Sequence, residues 1–398
     1  DRYIVPNSKA MPLACSTWEK DEYQVMQEVI DSGNFTMGEK VRAFEKSFAE
    51  YHDSKYCIMV NSGSSANFLM VAALFFSRGE NRLNKGDEVI VPAVSWSTTY
   101  SPLYYHGLKL RFVDIDSSTL NMNSEIIEAA ITKDTRAILA VNLLGNPCEY
   151  KAIKDICERN NLVLLEDNCE SLGADYEKKK SGTFGFISTC SSFFSHHIST
   201  MEGGMILTDD EEIYHILLSI RAHGWTRNLP RENLICDISD DPFYESFRFV
   251  LPGYNVRPLE LSGAIGIEQL KKLPDLIEKR RSNAKFFKEK MSGLDFINIQ
   301  EEIGSSSWFG FAITINERAS FARTELVDSL QKQKIETRPI VCGNILQNEM
   351  TDFFDYSVFD EPVASQRVHT NGLFVGNHHI DMIQGLENLH STICHLQK

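Results

Sequence analysis

The sequence predicts an α/β fold, a large domain on a mostly parallel central sheet over residues 1–275 followed by a smaller C-terminal α+β domain over 276–398. After residue 50, short apolar runs of β-forming residues alternate with segments of helical length, the β-α-β succession that places helices on both faces of a parallel sheet. Near residue 275 that alternation gives way to one strand between helices. The length of 398 residues also exceeds what a single hydrophobic core normally organises.

Taken in order, Ser16-x-x-Glu19 reads as a capping box opening an N-terminal helix. The strands are Tyr56 to Val60, Glu88 to Val91, Leu110 to Val113, Ala137 to Val141 and Leu162 to Leu165. Between them fall helices over Ser65 to Phe76, Thr98 to His106, Ser124 to Ala130 and Glu149 to Asn160. Two closely spaced strands follow, Phe186 to Ser191 and Met205 to Leu207. A helix from Asp210 to Ala222 comes next, its acidic lead Asp209 to Glu212 complementing the positive end of the helix dipole. A helical stretch runs from Pro258, in the first turn, toward Met291. Beyond it lie a strand from Trp308 to Ile315, a helix from Ser320 to Lys332 and a last helix from Asp381.

Composition excludes several classes. With 42% apolar and 24% charged residues the chain is globular, and 40 basic against 55 acidic residues give a net charge of −15. That balance disfavours a nucleic-acid partner. The longest apolar run, Phe68 to Phe76, is too short to span a bilayer, and Asp1 to Pro12 lacks a leader's apolar core, so a cytoplasmic protein is expected. Nine scattered cysteines without a Cys-x-x-Cys pair argue for free thiols rather than a disulfide framework, zinc ribbon or iron–sulfur site.

Three segments carry chemistry. Asn61 to Asn67, with Gly63 and Ser64, stands between a strand and a helix, where small residues and the helix N-terminus form a phosphate cradle or simply a turn. In Leu164 to Glu170 an apolar run ends abruptly in acids at the sheet edge where α/β proteins bind ligands. Asp167 there suits a protonated cofactor ring nitrogen, a metal or a helix cap. Ser191 to Gly204 places His196 and His197 in a polar loop without metal-ligand spacing.

In this order and separation, and together with Phe35 to Gly38, Trp96 and Gly253-Tyr254-Asn255, these segments resemble the DegT/DnrJ/EryC1/StrS sugar aminotransferase family of fold type I pyridoxal-phosphate enzymes. The resemblance spans nearly the whole chain. It implies that Gly63, Ser64 and Ser191 hold the cofactor phosphate, that Trp96 stacks on the ring and that Asp167 pairs with the ring nitrogen. Glu170 joins this cofactor set, and Asn255 reaches the phosphate of the neighbouring subunit in a homodimer.

One departure redirects the activity. The family carries a lysine, covalently linked to the cofactor, six residues before the Glu of its Gly-Glu-Gly-Gly turn; counting back from Glu202, this chain has His196. Imidazole cannot form that link, but with an ordinary pKa of about 6.5 it can move protons. The exchange resembles that of the family's 3-dehydratases. The branch needing an iron–sulfur cluster and a reductase is disfavoured by the cysteine spacing. Ser195 to Gly204, Arg221 to Pro230 and Leu251 to Pro258 resemble the other branch. That branch implies noncovalent pyridoxal or pyridoxamine phosphate, L-glutamate as co-substrate, and loss of the C3 hydroxyl from GDP-4-keto-6-deoxy-D-mannose. The products would be ammonia and a 4-keto-3,6-dideoxy sugar for colitose and O-antigen synthesis. The alternatives are a 4-keto sugar aminotransferase with a substitute base, a dehydratase for another nucleotide sugar, and a cofactor-binding regulator. His223, Arg227 and Arg338 are candidates for the sugar or diphosphate, or for interdomain or interface pairs.

Overall fold

A computed structural model describes residues 11–398; the opening stretch behind the no-leader reading lies mostly outside them. Eight strands form one sheet in the order Tyr56–Val60, Gly204–Thr208, Ile187–Ser191, Val163–Asp167, Thr135–Val141, Glu88–Pro92, Lys109–Val113 and Tyr356–Val358. Every neighbouring pair is parallel except the two made by Gly204–Thr208. Central strands such as Glu88–Pro92 and Ile187–Ser191 are buried along their whole length. Burial on both faces removes the alternation of a half-exposed strand: Val89 to Val91 reads as an unbroken apolar run, whereas Ile187–Ser191 buries the polar Ser188, Thr189 and Ser191. The helix Gly63–Phe76 is apolar on nearly all sides because it lies between the sheet and other helices.

A second, antiparallel sheet has the order Ile297–Ile299, Gly310–Ile315, Gly372–Gly376, Thr337–Arg338. Leu326 and Leu330 of helix Arg323–Lys332 share a core with Leu386, Leu389 and Ile393 of helix Ile383–Leu396. The helix Glu260–Met291 runs unbroken through position 275, placing Leu273 and Ile277 in one core and Ala284 and Phe287 in the next. Strand Tyr356–Val358 returns from the C-terminal part to the edge of the large sheet.

Local chemistry differs from expectation in three places. The first helix is Lys20–Ser32, and its opening box is Glu19 with Glu22, whose Oε2 accepts from the Glu19 amide at 2.7 Å; Ser16 instead accepts from Trp18 N at 3.2 Å. Pro258 precedes its helix, which begins at Glu260, rather than sitting in the first turn. A helix Glu39–His52 lies upstream of the alternation, its inward face interrupted by buried Glu45 and His52. Asp210 does cap its helix, accepting from Ile213 N at 2.9 Å. Among the described residues no helix is long and apolar enough to cross a membrane.

Candidate active site

Residues following the carboxyl ends of strands Tyr56–Val60, Glu88–Pro92, Val163–Asp167 and Ile187–Ser191 surround a cavity of ≈ 320 Å³, closed on one side by Phe309 and Arg338. This is the edge at which open α/β sheets bind ligands. The helix Gly63–Phe76 points its N-terminus there, and Ser62 caps it by accepting from Ser65 N at 3.1 Å. Gly63 is required by packing: a Cβ at that position would stand 2.7 Å from Ser191 Cβ. Ser64 Oγ donates to Thr98 Oγ1 at 3.1 Å, and Ser191 Oγ accepts from Phe193 N at 3.2 Å. A helix N-terminus bordered by hydroxyls is an anion site.

Asp167 ends its strand 5% exposed, with both oxygens oriented. Oδ2 accepts from Asn67 Nδ2 at 2.8 Å and Thr99 Oγ1 at 2.9 Å, while Oδ1 accepts from Cys169 N at 3.1 Å. Trp96, 55% exposed as the N-cap of helix Ser97–Tyr105, borders the same space. The cavity thus offers an anion cradle, a fixed carboxylate and an aromatic wall. That donor set fits pyridoxal phosphate.

His196 sits opposite, in a loop closed by Ser192 N to Gly203 O at 3.0 Å and Thr200 N to Ser192 O at 2.9 Å. Its half-buried ring lies between Phe193 and Phe309, and its Nδ1 is enclosed without a hydrogen-bond partner. Burial, reinforced by the Arg338 and Arg280 guanidinium groups, pushes its pKa down to about 3. The ring is therefore neutral with a free lone pair at pH 7, and a weaker base than the ordinary imidazole value implied. Among the described residues no lysine lines the cavity.

Gly63, Ser64, Trp96, Asp167, Glu170, Ser191, His196 and Arg338 are all brought together here. Glu170 Oε2 accepts from Leu144 N at 3.1 Å and its Oε1 lies 3.9 Å from Arg338; burial raises its pKa against that pull. His223, Arg227 and Asn255 do not line the cavity of this chain. His223 N donates to Tyr254 O at 2.7 Å, Asn255 Oδ1 accepts from Arg257 Nε at 3.0 Å, and Arg227 stacks over Trp225 at 4.2 Å. His197 faces away, fully buried, with Nε2 3.3 Å from Ser307 O. Asn67 closes the Asn61 to Asn67 segment read from the sequence but was given no role of its own there, and Thr99 and Phe309 were not singled out. Thr99 lies a turn inside its helix, and Phe309 lies in an apolar run with nothing to distinguish it from core.

Residues 16–372 match the DegT/DnrJ/EryC1/StrS aminotransferase family, and the chain belongs to it. Within it, the chain is 58% identical over 384 residues to a GDP-4-keto-6-deoxy-D-mannose 3-dehydratase of Yersinia pseudotuberculosis, covering 96% of this chain and 98% of that one. It is 55% identical to the protein of the same name from Escherichia coli O55:H7, over 96% and 99% of the two chains. A crystal structure of GDP-4-keto-6-deoxymannose-3-dehydratase with a trapped PLP-glutamate geminal diamine superposes with a TM-score of 0.94 at 55% identity, covering 96% of this chain and all of that one.

Proposed function

We propose that this chain removes the C3 hydroxyl from GDP-4-keto-6-deoxy-D-mannose, using pyridoxal phosphate and L-glutamate, and releases ammonia with GDP-4-keto-3,6-dideoxymannose. The observation that carries this is His196 in place of the family's lysine, on the wall of a cavity that contains Asp167 and, among the described residues, no lysine. The near full-length likeness to relatives so named supports the same substrate.

When bound, pyridoxal phosphate would supply a carrier for glutamate's amino group and an electron sink. The chain's own residues do the rest. Gly63, Ser64 and Ser191 bind the phosphate at the helix N-terminus, Trp96 covers the ring, and Asp167, locked by Asn67 and Thr99, holds the ring-nitrogen proton. His196, neutral at pH 7, accepts the proton in both half-reactions. Glu170 fixes the Arg338 wall, and Arg338 offers a cation to the glutamate carboxylates or the diphosphate.

The cofactor is held noncovalently, and no reductase or iron–sulfur partner takes part. We place Asn255 at the phosphate of a second copy in a homodimer, with His223 alongside and Arg227 nearby, ready to meet the nucleotide sugar. Sedimentation giving a fully active monomer would remove that placement. We further propose a cytoplasmic enzyme of O-antigen sugar synthesis whose small unit begins near residue 276, supported by its separate sheet. Incubation with glutamate and GDP- or CDP-linked 4-keto-6-deoxy sugars tests the activity. Free ammonia and a 3-deoxy ketone from the GDP sugar are expected. A 4-amino sugar retaining its C3 hydroxyl would refute it.

A further inference from the structure

We propose that Phe309 is a positioning residue of this site: its ring, in place of a hydrogen bond, sets the direction in which the His196 imidazole points. The proposal rests on the reading of His196 as the base. A functional imidazole is ordinarily oriented through its second nitrogen, which donates to a carboxylate or carbonyl. Among the described residues His196 has no such partner, since its enclosed Nδ1 makes no hydrogen bond to any of them. It has two aromatic neighbours instead. Phe193 meets it at 5.9 Å but is 42% exposed, whereas Phe309 meets it edge-on at 5.1 Å and 61° and is only 5% exposed. Edge-to-face contact constrains angle as well as distance, so the buried ring is the one that can define a direction.

Phe309 is itself held on both sides. Its amide donates to Leu144 O at 3.0 Å, and its carbonyl accepts from Nη1 of the buried Arg280 at 3.1 Å. The residue before it, Trp308, has φ +48°, a left-handed conformation that bulky residues avoid. Such strain persists only where the surroundings over-determine it. Here Asn377 Nδ2 donates to Trp308 O at 2.9 Å, and Trp308 N donates to Ser306 Oγ at 3.0 Å. Opposite them, Gly145 at φ +97° leaves no spare room, because a Cβ there would stand 2.4 Å from Trp308 N. A strained turn braced from the loop after strand Thr135–Val141 delivers one ring to the wall of the cavity. That same ring lies 5.6 Å from His197 and 5.8 Å from the Arg338 guanidinium.

The test is ¹⁵N NMR of holoenzyme labelled at histidine, with the His196 signals assigned by their loss in His196→Asn, alongside steady-state ammonia release. The wild type is expected to show one unaveraged neutral tautomer for His196. In Phe309→Leu and Phe309→Met, which fill the space without a flat edge, the His196 signals should average. In both, kcat should fall by about 10²-fold, the size of a misplaced-group effect, with KM for the sugar and the cofactor absorbance unchanged. Phe309→Tyr, which keeps the edge, should restore most of the rate. Unaltered His196 signals and rates in the Leu and Met variants would overturn the proposal. So would a His196 ring already averaging in the wild type, a result that needs no variant to fold. His196→Asn releasing ammonia at the wild-type rate would instead remove the base assignment itself, whatever the Phe309 spectra show.

Discussion

Replacing Gly63 by alanine sets two effects of opposite sign against each other. Gly63 opens a helix and its φ is not positive, so alanine should stabilise by about 0.4–1 kcal/mol through the unfolded chain. Against this, the new methyl would lie 2.7 Å from Ser191 Cβ, 2.9 Å from its Oγ and 3.3 Å from Cys169 Sγ. Carbon atoms pack at about 3.5–4.0 Å, so the end of strand Ile187–Ser191 or the helix must retreat by most of an ångström. Overpacking of that kind costs about 1–3 kcal/mol, and the clash wins. With Ser191 at the phosphate as proposed, the retreat should cost a hydrogen bond to a charged group worth about 1.5–3 kcal/mol, a weakening of roughly 10- to 150-fold. Titration of pyridoxal phosphate followed by absorbance, with a melting curve of the cofactor-free protein, measures both parts. Wild-type affinity together with a wild-type melting temperature would refute both the close packing and the phosphate placement.

His196→Asn should lower glutamate deamination and C3 dehydration together by about 10²- to 10⁴-fold. His197→Asn, altering a buried side chain outside the cavity, should cost about 1–3 kcal/mol of stability with little change in kcat; the opposite pattern would mean that the wrong histidine has been matched to the family's lysine. Borohydride treatment of the resting enzyme should leave no cofactor on the chain, and a reduced adduct on any lysine peptide would contradict the noncovalent site. Burial holds His52 and His378 at about 4 and about 3. Between those values and the ordinary value of about 6.5 the unfolded chain binds more protons, so stability should fall as pH drops below that value, by up to about 1.4 kcal/mol per pH unit for each group. Denaturant midpoints at pH 7 and pH 5 check this, and equal values would count against it.

The large sheet was legible because most of its doubly buried strands carry apolar runs, such as Val89 to Val91 and Val163 to Leu165, that stand out wherever polar or turn residues bound them. Asp167 and the Gly63 turn were legible for the complementary reason, since polarity and small size end those runs abruptly. Helix Glu39–His52 was hidden because Glu45 and His52 break its apolar face, Glu45 being paired with Arg221 from a distant part of the chain. Edge strand Tyr356–Val358 is short and partly exposed, so its partner at Lys109–Val113 cannot be read locally. Phe309 was invisible because its placement depends on backbone geometry at Trp308 rather than on residue type. Asn255, His223 and Arg227 were chosen by resemblance, and in a single chain they stand apart from the cavity.

The return of Tyr356–Val358 to the large sheet also bears on how the chain is made. Arg111, on the receiving strand, bonds through Nη1 to Ser357 Oγ across a sequence separation of 246. At ribosomal rates of about 5–20 residues per second, that span leaves the flank of Lys109–Val113 open for roughly 12 to 50 s before its cover emerges. During that interval the nascent sheet presents an unpaired edge, a template for pairing with other chains. Truncation just short of residue 356 would make that transient exposure permanent.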